Sequence, residues 1–203
     1  EDKLINGSIL ISENRIEKIF IDNANLSEFT FDEVIDLEGK YLGPAFIDVH
    51  THGADGADAM DGSEEALRKI SKYLVQEGTA NFLATTLTSS KEILKDVLKV
   101  VVNLQDKDIE GANIFGVHME GPYFSVEYKG AQNDKYMKPA GIKELEEYLS
   151  IKDGLVKLFS ISPHNQENLE AIKFLVDKGV IASVGHSGAS YENVMKAIDL
   201  GLS

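Results

Sequence analysis

The chain has 203 residues, of which 43% are hydrophobic and 27% charged, a balance typical of a globular protein with a substantial core. Its formal net charge of −14 argues against nucleic acid or an anionic membrane as a partner, because both need basic protein surface. It contains no Cys, which excludes disulfide bonds and thiolate metal ligands, and the lack of a membrane-spanning run or signal segment leads us to expect a cytoplasmic protein.

The first 42 residues predict short β-strands. Residues 7–11 and 15–20 flank a turn at residues 12–14, a pattern typical of a β-hairpin. Residues 33–37 alternate between apolar and polar side chains and predict a further strand. This segment is therefore predicted to form a small unit of its own.

A different pattern begins near residue 45, where apolar strands alternate with amphipathic helices. The first predicted strand, at residues 46–52, is an apolar run that we expect to be buried. Further strands are predicted at residues 80–87, 113–120, 155–162 and 180–185, and helices at residues 63–77, 91–105, 165–178 and 191–200. This alternation indicates a parallel sheet covered by helices.

Five strand–helix units fit either an open doubly wound sheet or part of an eight-unit barrel. No glycine-rich phosphate-binding fingerprint follows the first strand, so a dinucleotide-binding sheet is unsupported. Residues with metal-ligand chemistry follow the first, third and fifth strands, and they could meet only across a closed ring. We therefore predict an α/β fold of the (β/α)8 TIM-barrel type, with about five units in residues 43–203 and the remaining units expected after Ser203.

Histidine and carboxylate side chains at these strand ends predict a metal site. His50 and His52 are two residues apart, so both project from the same face of the first strand. Glu120 ends the third predicted strand, and His186 follows the fifth. Imidazole and carboxylate groups suit Zn²⁺, Fe²⁺ and similar ions. The alternative for the histidine pair alone is two partly exposed side chains at a junction between strand and loop.

Four segments carry a resemblance to a known family. Residues 44–53 resemble the first barrel strand of the amidohydrolase superfamily. The motifs HMEGPYF at residues 118–124, KGAQN at residues 129–133 and GHSGASY at residues 185–191 resemble the N-acetylglucosamine-6-phosphate deacetylase family within that superfamily. The resemblance spans nearly the whole chain, because residues 1–42 resemble part of this family's small β-sandwich domain.

The resemblance implies metal-dependent hydrolysis of the acetamide of N-acetylglucosamine 6-phosphate to glucosamine 6-phosphate and acetate. It implies that Glu120 and His186 bind a divalent metal ion such as Zn²⁺ or Fe²⁺. It also implies that His50 and His52 bind a second ion, so one or two ions are expected. The family's catalytic Asp, its remaining metal-binding His and its phosphate-binding Arg are expected beyond Ser203.

The resemblance also implies a substrate and an assembly. Ala131 and Gln132 occupy positions that contact the sugar, so the expected partner is a small amino sugar phosphate, and the full-length protein is expected to be a homodimer. The chemistry of the predicted ligands agrees with this activity. An amide is a poor electrophile, and a divalent cation polarises its carbonyl and lowers the pKa of bound water to about 7.

Two departures from the family pattern leave questions open. Ala45 stands where glycine is usual. His164, which follows the fourth predicted strand, stands where glutamate is usual, so the role of that strand end is open. Alternative functions are another amidohydrolase, such as a cyclic amidase or a deaminase, or an inactive truncated fragment. Cyclic amidases usually bridge their metals with a carboxylated lysine, and no Lys stands at an equivalent strand end. His118 is predicted to support the site through a hydrogen bond, and the acidic run at residues 144–147 to face solvent from a helix.

Overall fold

The chain divides into two compact units, Glu1–Gly43 and Pro44–Ser203. The computed structural model describes residues 4–21, 27, 29–105, 107 and 109–203. No helix within these ranges has both the length and the apolar character needed to cross a lipid bilayer.

The first unit contains a β-hairpin. Strand β1 (Gly7–Ser12) pairs in antiparallel fashion with β2 (Arg15–Ile21), which confirms the predicted hairpin. Glu13 and Asn14 at its turn have positive φ angles of 49° and 61°, as a two-residue type I′ turn requires. The turn therefore matches the twist of the two strands that it joins.

The predicted strand at residues 33–37 is wrong. These residues form no strand, and Val34 and Ile35 are 76% and 73% exposed. A strand is stable only when its backbone groups pair with a neighbour, and in the described part of this unit β1 and β2 pair only with each other. That residues 1–42 belong to a β-sandwich stays a prediction, and residues 1–3, 22–26 and 28 of that segment lie outside the described residues.

The second unit alternates strands and helices in the predicted order. In chain order its elements are β3 (Phe46–Thr51), the two-residue strands β4 (Gly53–Ala54) and β5 (Ala57–Asp58), α1 (Glu64–Gln76), β6 (Thr79–Thr85), α2 (Lys91–Gln105), β7 (Asn113–Glu120), α3 (Ile142–Leu149), β8 (Val156–Ile161), α4 (Gln166–Asp177), β9 (Ile181–Val184) and α5 (Tyr191–Asp199). The strands and helices that were predicted from the apolar pattern agree with these bounds to within two residues at each end.

Five of these strands form one parallel sheet. Its strand order is β3-β6-β7-β8-β9, and each neighbouring pair runs parallel. The sheet curls into a half-barrel covered by helices, which confirms the predicted fold class for these five units. Because all five strands run in one direction, their carboxyl ends lie along the same edge, where barrels of this type carry their sites.

The core lies between the helices and the sheet. Along α2, Leu94, Leu98 and Val101 recur at helical spacing and are completely buried, and they pack with Val117 and Met119 of β7 in one hydrophobic cluster. The first strand departs from its prediction. It was expected to be buried, but Phe46 and Ile47 are 71% and 61% exposed, because β3 lies at the edge of the sheet and pairs only with β6 among the described strands.

Side-chain caps stand at the start of two helices, α1 and α4. The Oγ of Ser63 accepts a hydrogen bond from the backbone N–H of Ala66 at 3.2 Å, and the Oδ1 of Asn165 accepts one from Asn168 at 2.8 Å. Each cap satisfies an N–H group that has no partner within its own helix. These caps fix where α1 and α4 begin.

A partly buried carboxylate, that of Glu144, ties the loop after β7 to α3. The hydroxyls of Tyr123 and Tyr148 donate to Oε1 of Glu144 at 3.1 and 2.8 Å, and Lys138 donates to Oε2 at 2.6 Å. Residues 144–147 were predicted to be a solvent-exposed face, and this is wrong for Glu144, whose side chain is only 16% exposed. Burial disfavours its charge, but the hydrogen bonds from Lys138 and the two tyrosines outweigh this and hold the pKa of Glu144 below its usual range.

We expect Glu144→Gln to lower the free energy of unfolding at pH 7 by roughly 1.5–3 kcal/mol, because three hydrogen bonds lose their charged acceptor. Since the pKa of Glu144 is lower in the folded state, its stabilising effect is complete above its unfolded pKa and is lost as the pH falls through the folded value. Denaturant unfolding should therefore separate wild type from variant by more at pH 7 than at pH 3. Glu146→Gln, at an exposed position of the same helix, is the matched control and should change little.

Candidate metal centre

Four side chains that the sequence predicts as metal ligands converge at the carboxyl edge of the sheet. The Nε2 atoms of His50, His52 and His186 lie 3.5, 3.1 and 3.2 Å from the carboxylate of Glu120. The ligand atoms of His50, His52 and Glu120 all lie within 4.8 Å of one another. The structure thus brings together residues that are 136 positions apart in the chain, from His50 to His186.

The secondary structure explains how each ligand reaches this place. His50 and His52 lie on either side of Thr51, the last residue of β3, and their ring centroids are 5.3 Å apart. Glu120 is the last residue of the central strand β7 and is 6% exposed. His186 lies two residues after β9 with a φ of 44°, a left-handed backbone that few residues other than glycine adopt. This turn directs its ring back toward Glu120.

Backbone carbonyl groups orient two of the imidazole rings. The Nδ1 of His52 lies 3.3 Å from the carbonyl oxygen of Thr85, and the Nδ1 of His186 lies 3.0 Å from that of Tyr128. A carbonyl oxygen only accepts, so each Nδ1 carries a proton and donates it. Nε2 is therefore the nitrogen of each ring that faces the carboxylate of Glu120, and it is the atom through which each ring can bind a metal ion.

The distances around Glu120 fit a divalent metal ion. Two ligands held about 2.1 Å from a tetrahedral Zn²⁺ lie about 3.4 Å apart, and the three nitrogen-to-oxygen distances to Glu120 range from 3.1 to 3.5 Å. Glu120 Oε1 faces His50 and His186, while Oε2 faces His52. A carboxylate with ligands on both of its oxygens is suited to contact either one ion or two.

His118 lies behind these ligands. It is buried, with its Nε2 2.8 Å from Ser160 Oγ and its Nδ1 3.4 Å from Thr85 Oγ1. Its ring meets that of His50 edge to face, with centroids 4.7 Å apart. Burial, followed by the proximity of His50 and His52, lowers the pKa of His118 to about 3, so its imidazole is neutral at physiological pH. Both of its nitrogens have hydroxyl partners, neither of which belongs to a predicted ligand, so the supporting role of His118 stays a prediction.

His164 is not one of the side chains around Glu120. Its Nδ1 lies 2.8 Å from Ser162 Oγ, which in turn lies 2.9 Å from the hydroxyls of Ser125 and Ser187. This chain of hydroxyls joins the loops that follow β7, β8 and β9. The histidine that replaces the usual glutamate therefore takes part in a network between loops.

The two predicted substrate-binding residues differ in their surroundings. Ala131 is exposed, whereas Gln132 is buried and its Nε2 donates to Glu120 Oε2 at 2.8 Å. Sequence reasoning missed this contact, and it also missed the carbonyl groups of Thr85 and Tyr128. A contact made by a backbone carbonyl cannot be predicted from the pattern of side chains. For the contact of Gln132, the available signal in the sequence was a polar residue two positions after a loop glycine.

Comparisons with known proteins agree with this geometry. The amidohydrolase family matches residues 41–202. The N-acetylglucosamine-6-phosphate deacetylase of Vibrio furnissii is 34% identical over 160 residues, which are 79% of this chain and 40% of that protein. The N-acetylgalactosamine-6-phosphate deacetylase of Escherichia coli is 30% identical over 168 residues, 83% of this chain and 45% of that protein. The crystal structure of N-acetylglucosamine-6-phosphate deacetylase from Pasteurella multocida has a TM-score of 0.84 and 29% identity, covering 100% of this chain and 52% of that chain.

The chain belongs to the amidohydrolase family. Its predicted resemblance to N-acetylglucosamine-6-phosphate deacetylases is confirmed, since both a curated relative and a solved structure carry that name. The chain spans about half the length of these relatives or somewhat less.

We expect His186→Ala to remove most of the bound divalent metal from the full-length protein. Loss of a direct ligand should weaken binding by more than the roughly 10- to 100-fold that loss of a supporting hydrogen bond costs. Elemental analysis after dialysis measures this, with His164→Ala as the matched control that should keep its metal. His50→Gln should have a smaller effect, and unchanged metal content in His186→Ala would contradict the assignment.

Proposed function

We propose that this chain forms part of a metal-dependent amide hydrolase that removes the acetyl group from N-acetylglucosamine 6-phosphate. The observation that carries the proposal is the buried carboxylate of Glu120 with three imidazole Nε2 atoms within 3.5 Å. The identity of the substrate is inferred from relatives that are named for this activity. Glu120, His186, His50 and His52 would hold one or two ions of Zn²⁺ or Fe²⁺, because imidazole and carboxylate ligands suit both.

A bound divalent ion would polarise the amide carbonyl and bring the pKa of a coordinated water close to neutrality. The chain's own residues prepare for this chemistry. The carbonyls of Thr85 and Tyr128 keep a proton on Nδ1 of His52 and His186, so that Nε2 stays free for the ion. The neutral ring of His118 packs against His50 without adding a competing positive charge.

Hydrolysis also requires an acid that protonates the leaving amine. Glu120 is surrounded by imidazoles and is assigned to metal binding, so it is a poor candidate for this role. The relatives are about twice as long as this chain. We therefore propose that the acid is the Asp of the family, carried by a barrel strand outside these 203 residues, and that the phosphate-binding Arg lies there as well.

The proposed substrate contact within this chain is at the loop of Ala131 and Gln132. Gly130 has a φ of 56°, and a Cβ at this position would lie 3.4 Å from Cε1 of His186. The loop therefore runs directly beside the ligand cluster, and the exposed Ala131 follows at once. A sugar held against this part of the loop would place its acetamide near Glu120. The homodimer and the cytoplasmic location stay predictions.

A second candidate substrate is N-acetylgalactosamine 6-phosphate, which differs at one hydroxyl. The Escherichia coli relative named for it is 30% identical to this chain. A cyclic amidase or a deaminase is less well supported, because Glu120 occupies the centre of the ligand cluster where a cyclic amidase would use a carboxylated lysine.

We expect the metal-loaded full-length protein to release acetate from N-acetylglucosamine 6-phosphate and to lose this activity when a chelator removes the metal. Acetate release is measured for the two epimeric sugar phosphates, for the unphosphorylated sugar and for a cyclic amide. A higher kcat/KM for the galactose epimer would favour the second candidate. Turnover of the cyclic amide alone would refute both.

We expect Ala131→Leu to raise KM at least several-fold with little change in kcat, because a larger exposed side chain blocks binding that the ground state and the transition state share. The metal content of this variant should equal that of wild type, since Ala131 makes no contact with the ligands. An unchanged KM would place this loop residue outside the substrate site.

A further inference from the structure

Gln132 has two hydrogen-bond partners that together fix its amide. Its Oε1 accepts from the backbone N–H of Thr88 at 2.7 Å, and its Nε2 donates to Glu120 Oε2 at 2.8 Å. A backbone N–H can only donate, so the amide oxygen must face Thr88. The amide nitrogen must then face the carboxylate. The orientation of this side chain is therefore set by the backbone of the loop that follows β6.

The contact with Gln132 in turn fixes the carboxylate of Glu120. Oε2 takes the hydrogen bond from Gln132 and lies 3.1 Å from His52, while Oε1 lies 3.5 and 3.2 Å from His50 and His186. Rotation of the carboxylate about its last bond would break the bond to Gln132 and change which oxygen faces which histidine. Without a fixed hydrogen-bond donor, the terminal torsion angle of a glutamate side chain has a broad distribution.

We propose that Gln132 is a positioning residue that holds the carboxylate of Glu120 in one orientation for metal binding. The inference rests on the proposed function, because it takes Glu120 as a metal ligand. Burial supports it, since the side chain of Gln132 is 5% exposed while the neighbouring Ala131 is exposed. The loop thus directs position 132 toward the metal centre and position 131 toward solvent.

The same short segment also orients a second ligand. The carbonyl of Tyr128 accepts from Nδ1 of His186 at 3.0 Å, only four residues before Gln132. Residues 128–132 therefore contact two ligands that come from different strands, Glu120 at the end of β7 and His186 after β9. A segment that orients two ligands at once makes metal affinity depend on the conformation of this loop.

The test compares Gln132→Met and Gln132→Asn with wild type in the full-length protein. Met keeps the length of the side chain but has no amide, and Asn keeps the amide but is too short to reach both partners. Gln166→Ala, at an exposed position of α4, is the control. Each protein is loaded with Co²⁺, its visible absorption spectrum is recorded, and its affinity is measured by competition with a chelator.

We expect Gln132→Met to lower the affinity for Co²⁺ by about 10- to 100-fold and to change the visible spectrum, because the geometry of the bound carboxylate changes. Gln132→Asn should lower the affinity by a smaller factor, and Gln166→Ala should match wild type. A purely structural role would lower the melting temperature of the metal-free protein without altering the spectrum of the loaded protein, and this result would overturn the proposal.

Two outcomes separate this inference from the proposed function. If wild type binds no divalent metal, the metal-dependent function itself fails. If wild type binds Co²⁺ but Gln132→Met binds it equally well and shows only a higher KM for the acetylated sugar phosphate, Gln132 contacts substrate and the inference alone fails. Should circular dichroism show that Gln132→Met is unfolded, Gln132→Asn decides, and an affinity equal to wild type would refute the positioning role.

Discussion

The carboxylate of Glu120 is buried at the end of the central strand, with imidazole nitrogens on both of its oxygens. A buried carboxylate is costly unless charge and hydrogen bonds compensate for the lost water. Gln132 donates one hydrogen bond to this carboxylate, and the Nδ1 atoms of His52 and His186 donate to backbone carbonyls, which leaves their Nε2 atoms facing Glu120. In the proposed function, a divalent cation held among these groups would supply the compensating positive charge.

The parallel sheet makes this arrangement possible. Neighbouring strands bring their carboxyl ends to one edge, and the curl of the sheet lets the loop after β9 reach the end of β7. The strand between β3 and β7 contributes as well. Thr85 at the end of β6 offers its carbonyl to His52, its hydroxyl accepts from the backbone N–H of Thr51 at 3.0 Å, and it also contacts His118. One residue without metal-ligand chemistry therefore holds the histidine strand in register with the metal centre.

The repeating part of the fold was predictable because it depends on local pattern. Apolar spacing predicted the strands and helices of the second unit that the sequence analysis names to within two residues at each end. The same strand-end logic brought out the four ligand candidates. Prediction failed where pairing or burial depends on distant residues. Residues 33–37 alternate like a strand but pair with no strand among the described residues. Glu144 accepts hydrogen bonds from tyrosine hydroxyls, although its acidic neighbours in the sequence predicted a solvent-exposed position.

Ligand identity and ligand orientation are therefore encoded differently. A histidine or a glutamate at a strand end is visible in the sequence, because the residue type itself carries the chemistry and the strand sets its position. Orientation depends on groups that any residue can supply, such as the carbonyls of Thr85 and Tyr128, or on a buried amide such as Gln132 in an otherwise exposed loop. The loop at residues 128–132 comes beside the cluster only because the chain turns there, with Gly130 in a left-handed conformation against His186. If the four side chains bind metal as proposed, substitutions in that loop can alter metal affinity while all four ligands remain in place.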